Sequence, residues 1–74
     1  MIEAEIALRW QRGDAVPGVA FRPGARVRIL DGPFADDCGS VRALLEVKPE
    51  PCYRVEVDAA HVEVELSESA LGLT

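Results

Sequence analysis

At 74 residues the chain holds one small domain at most, because a domain of this order hides only about 60% of the surface its unfolded chain would expose. Hydrophobic residues at 49% and charged residues at 28% are globular values that exclude wholesale disorder, collagen-like repeats and coiled coil. A formal net charge of -5 argues against binding nucleic acid by blanket phosphate neutralisation, which needs several clustered cations.

The charge is unevenly spread. Through Leu30 five arginines stand against three acids, and from Asp31 onward three bases stand against ten acids. That distribution allows one basic edge on an otherwise acidic domain, or simply a solvated surface. No apolar run reaches the ~18 residues of a membrane helix, and Met1-Ile2-Glu3-Ala4-Glu5 carries acids where a secretory leader carries bases, so a cytoplasmic protein is expected. Cys38, Cys52 and the single His61 are too few for a tetrahedral zinc site; neither metal nor cofactor is expected.

The first eleven residues satisfy two periods. Ile2, Ala4, Ile6, Leu8 and Trp10 alternate with mostly polar neighbours, as a strand requires. Early acids, the Glu5 to Arg9 spacing and Gly13 as a stop would suit a helix, but Leu8 falls nearly opposite Ile6 on a helical wheel, and the strand is the preferred reading. Trp10 is expected to pack this extension, residues 1–20, onto the domain. Gly13-Asp14 and Pro17-Gly18 mark residues 13–20 as a connector.

Residues 21–66 form the predicted main module. Val27 and Ile29 alternate with Arg26 and Arg28 in a first strand, and Asp31 to Asp37 is a turn-rich loop. Cys38 to Val47 reads as a second strand and Lys48-Pro49-Glu50-Pro51 as a prolyl turn. Tyr53, Val55 and Val57, then Val62, Val64 and Leu66, alternate on either side of Asp58-Ala59-Ala60 as a hairpin. With the preceding hairpin turning near Pro49, Cys52 faces about Glu46, and Cys38 lies ~26 Å along the strand, far outside disulfide range. The expected core is Phe21, Val27, Ile29, Val41, Leu44, Tyr53, Val55, Val57, Val62, Val64 and Leu66. Residues 67–74 are expected to make a short helical turn and then fray. Short strands with short links describe an all-β fold, a small antiparallel barrel or sandwich.

The stretch Phe21-Arg22-Pro23-Gly24 through Asp31-Gly32-Pro33-Phe34-Ala35 to Gly39-Ser40-Val41 resembles the KOW module, most closely the C-terminal module of the NusG transcription factors. The resemblance extends weakly to Leu66. It implies an SH3-like antiparallel β-barrel that docks proteins of the transcription or translation machinery, with RNA contact in ribosomal relatives. Asp37-Cys38 stands where the NusG module usually has an aromatic, and Asp58 to Glu63 replaces its Phe-Gly-Arg-x-Thr-Pro segment. A glycine at position 39 suits a sharp bend or a close backbone approach.

The expected function is therefore a non-catalytic module that docks a protein partner, ribosomal or polymerase-associated, through the 31–38 loop: Asp31, Gly32, Pro33, Phe34 and Asp37. Phe34 is either a docking aromatic or a plug folded over the core. The alternatives are an RNA- or DNA-contacting face of Arg22, Arg26, Arg28 and Arg42, and an accessory barrel whose N-terminal strand pairs with a second copy or an enzyme subunit. Arg26, Arg28 and Arg42, with Arg54 on the same face, also read as the solvent face of the first two strands in ordinary ion pairs with Glu46 and Glu56. Catalysis is not expected: Asp36-Asp37 lacks a dry pocket, and His61 with Ser67 and Ser69 lacks a nucleophile elbow or room for a substrate.

Overall fold

The computed structural model of the chain describes residues 2–74. One helix, α1 (Ala4–Gln11), precedes four strands, β1 (Arg26–Ile29), β2 (Cys38–Glu46), β3 (Cys52–Val57) and β4 (Val62–Ser67). A 3₁₀ turn over Glu68–Ala70 then leads into β5 (Leu71–Leu73). The strands form one antiparallel sheet in the order β4-β3-β2-β1-β5.

The alternation in β1 and β3 is realised residue by residue. Val27 and Ile29 are buried while Arg26 and Arg28 face outward, and Tyr53, Val55 and Val57 are buried with Arg54 exposed between them. β2 bends through irregularities between Val41 and Ala43 and between Leu44 and Glu46, so Leu44 and Val41 both reach the core despite their odd spacing. Across the prolyl turn Cys52 pairs with Glu46 as expected, and both cysteines are free thiols.

The N-terminal segment is a helix rather than the preferred strand. Positions 2, 6 and 10 fit period two and a spacing of four equally well, and the indole of Trp10 decides between them. Trp10 is 2% exposed and its Nε1–H donates to the Phe21 carbonyl at 2.8 Å, a contact that pins the helix end across the connector. Ile2 and Ile6 pack beside it, Glu5 and Arg9 pair at 3.4 Å, and Gly13, at φ 85°, closes the last turn by donating to the Trp10 carbonyl. The cost is Leu8, left 58% exposed on the far side.

The C-terminal segment does not fray. The 3₁₀ turn is there, but β5 follows it, with Leu71 buried opposite Ile29 and Gly72 opposite Arg28. Of the expected core, Val64 and Leu66 are only half-buried and Val62 is 41% exposed, because β4 is an edge strand whose inner row is not covered along its whole length. Trp10 and Leu71 complete the core in their place.

Tyr53 ties three segments together. Its hydroxyl donates to Glu68 Oε1 at 2.8 Å and accepts the Phe21 amide at 3.4 Å, while Glu68 Oε1 also accepts the Ala20 amide at 2.8 Å. The Phe21 and Tyr53 rings meet edge to face at 5.6 Å. Burial first, and the Glu68 carboxylate second, push the Tyr53 phenol above its ordinary value. The folded state therefore holds this proton where the unfolded chain releases it, so stability present below pH ~10 falls as pH rises beyond it. Denaturation midpoints measured from pH 8 to 11 are expected to decline above pH ~10 and to lose most of that decline in Tyr53→Phe, a variant expected to cost about 1 kcal/mol at neutral pH. Because Tyr53 is the chain's single tyrosine, its phenolate absorbance reports the ionisation directly.

Candidate protein-docking surface

The loop after β1 is rigidly closed. Ile29 donates its amide to the Asp37 carbonyl at 2.8 Å and accepts the Asp36 amide at 2.7 Å, which clamps the loop at its base. Within it, Ala35 donates to Gly32 and Asp37 to Phe34, two successive turns, and the Gly32 amide donates to Asp31 Oδ1 at 2.8 Å. Gly32 at φ 85° and Asp36 at φ 73° supply the left-handed geometry these turns require, Asp being one of the few other residues that tolerates it.

What the loop presents is mostly backbone and small polar groups. Asp31, Gly32 and Pro33 are exposed, and Asp37 is half-buried. Phe34 is half-buried and packs against the core, so part of the side chain closes over the interior and the rest remains at the surface. Leu30, 53% exposed, was not singled out from the sequence, where it reads as the end of a strand. Its side chain lies over Gly72, so a methyl group built there would stand 3.4 Å from it.

Gly39 makes the close approach foreseen for it. A Cβ at this position would sit inside contact with the Glu56 carbonyl oxygen and 2.9 Å from Val55 Cγ1. The loop thus re-enters the sheet at the one place where β2 and β3 run too close for a side chain.

Of the arginines of the alternative surface, Arg26, Arg28 and Arg42 are exposed on β1 and β2, and carboxylates hold all three. Arg26 forms a forked pair with Asp58 and donates to Ser40 Oγ at 2.8 Å; Arg42 donates through Nε to Glu56 at 3.0 Å. Arg28 meets Asp36 at 3.3 Å, and Arg54 lies 3.9 Å from Glu63. Hydrogen bonding to its partner raises the pKa of Arg26 and of Arg42, and the Arg26 bond holds the Asp58 carboxyl below the usual range. Arg22 alone of the four named arginines has no charged partner among the described residues.

The remaining reactive groups are dispersed. Ser69 donates to Glu50, and Ser67 lies at the opposite end of β4 from His61, about 20 Å away at ~3.3 Å per residue. Burial, then the charges of Glu46, Glu50 and Glu65, raise the Cys52 thiol above its ordinary value, which leaves it protonated and a poor nucleophile at neutral pH. No helix among the described residues is long and apolar enough to cross a membrane. The chain matches no protein-family model and no curated protein sequence.

Proposed function

We propose that this chain is a non-catalytic binding module, an SH3-like barrel of KOW type, that docks a protein of the transcription or translation machinery through its 31–38 loop. The observation that carries the reading is the loop's construction. Its base is clamped by two backbone bonds to Ile29, and its tip offers Asp31, Gly32 and Pro33 with the outer part of Phe34 beside them. A surface ordered before binding loses little conformational entropy on docking, and a half-exposed aromatic adds apolar area at the centre. The five-stranded antiparallel order, with the last strand beside the first, is compatible with such a barrel.

Direct nucleic-acid contact is the weaker reading, because Arg26, Arg28 and Arg42 each have a carboxylate to leave before they can meet a phosphate. Self-pairing through an N-terminal strand is set aside, since that segment is helical.

The test is a titration of isotope-labelled protein with purified ribosomal subunits and with RNA polymerase. Signals from Asp31 to Cys38 are expected to shift or broaden with one of them, and Phe34→Ala to weaken that binding about tenfold, as for a central aromatic contact. Binding that leaves these signals unmoved, or no binding to either assembly, overturns the proposal.

A further inference from the structure

The outer edge of β4 is terminal in the sheet, with two strands standing between β4 and β1. The Asp58 amide points to β2, donating to the Cys38 carbonyl. By the alternation of an antiparallel ladder, Glu56 and Arg54 also bond towards β2, and Val57, Val55 and Tyr53 turn to β4. Their partners Val62, Val64 and Leu66 therefore carry the bonds to β3, and the backbone N–H and C=O groups of Glu63 and Glu65 point away from the sheet. β4 is terminal in the sheet order, and among the described residues neither glutamate makes a further backbone bond. Both are exposed, so this is an open edge six residues long.

The side chains along that edge state what fits it. On the inner row Val62 is 41% exposed and Val64 and Leu66 are half-buried, an apolar floor that ends without cover. On the outer row stand Glu63 and Glu65. Glu63 has only a 3.9 Å contact with Arg54, and Glu65 has no ion pair among the described residues. At the far end of the strand a hollow of about 240 Å³ is lined by Glu65, Leu66 and Ser67 with Leu45, Glu46 and Cys52 across from them, so the carboxylates of Glu46 and Glu65 stand at its wall.

We infer that the β4 edge receives an extended segment of a partner protein in which basic residues alternate with apolar ones. The segment adds a sixth strand, bonds its backbone to Glu63 and Glu65, sets lysine or arginine opposite the two glutamates, and extends the row of Val62, Val64 and Leu66. A second copy of this chain does not fit, because β4 against β4 would oppose glutamate to glutamate; nor does nucleic acid, which the same charges repel.

The test uses a soluble peptide of about seven residues alternating lysine and valine, with a glutamate–valine peptide as its control. On saturation with the lysine peptide, amide exchange at Glu63 and Glu65 is expected to slow at least about tenfold, while Val62 and Val64, already bonded, change little. Replacing both acids, Glu63→Lys with Glu65→Lys, is expected to weaken the lysine peptide by about tenfold or more and to admit the glutamate peptide; Glu65→Gln alone, which leaves the Arg54 contact intact, weakens it about threefold. Three results would each overturn the inference: no slowing at Glu63 and Glu65, affinity indifferent to the charge reversal, or a dimer of the free protein paired through β4. Slowing confined to Asp31 to Cys38 would likewise reject the edge while leaving the loop proposal standing.

Discussion

Gly39→Ala is expected to lower the melting temperature by roughly 10–20 °C. The added methyl group has nowhere to go. Two of the three atoms nearest to it, the Glu56 carbonyl oxygen and carbon, belong to the β3 backbone, and the third is the fully buried side chain of Val55. Relief requires β2 and β3 to separate at the register pair Gly39–Val57, next to the point where the loop returns to the sheet. Overpacking of this kind costs about 2–3 kcal/mol, and each kcal/mol shifts the midpoint of a domain this small by about 4–8 °C. Gly72→Ala is the matched control. Its nearest neighbours, at 3.4 Å, are the terminal methyls of the exposed Leu30, which can turn aside, and a change within about 3 °C is expected. Thermal denaturation of both variants, followed by far-ultraviolet circular dichroism, checks the pair. Equal effects would mean that the β2–β3 approach at Gly39 is not a tight one.

The contrast between these glycines shows what can be read without coordinates. Gly39 stands just before an alternating strand and just after a turn-rich loop, and that local pattern is enough to suspect a close approach. The β1 and β3 alternations are legible for the same reason, since a strand with one buried face writes its period into its own residues, and β4 carries the same period although its inner row is only half covered. α1 is different. Its apolar positions 2, 6 and 10 serve either period, and the choice rests on a bond from Trp10 to Phe21, eleven residues away and invisible to any local window. β5 is harder still. Leu71-Gly72-Leu73 is too short to show a period, and it is a strand only because β1, more than forty residues earlier, offers an edge to it. The candidate surface divides along the same line. The loop's boundaries and its exposed Asp31, Gly32 and Pro33 follow from turn chemistry, and the pairing of Arg42 with Glu56 follows from the hairpin. The pairing of Arg26 with Asp58 does not, because it needs the register of three strands at once.

Trp10→Ala is expected to have the largest effect on stability of the substitutions considered. The indole is almost wholly buried in the same cluster as Phe21, Ile29 and Tyr53, although it comes from outside the sheet. Truncating it removes about 3–5 kcal/mol of packing, of the same order as the whole stability a single core supplies in a chain of this length. Largely unfolded protein at 37 °C is the expected outcome, seen as loss of amide dispersion and of the near-ultraviolet signal. Trp10→Phe separates the two parts of the contribution. It keeps an aromatic ring in the cluster but removes the donor to the Phe21 carbonyl, and is expected to cost about 1–3 kcal/mol with the fold retained. Should Trp10→Ala melt within about 5 °C of the parent, α1 would be an appendage and the sheet would hold its core unaided. With the expected result, α1 is part of the domain, and the core cluster is complete only with the indole in it. Phe21 would then lose the bond to its carbonyl, leaving its amide on the Tyr53 hydroxyl and the Ala20 amide on Glu68 as the connector's remaining side-chain anchors.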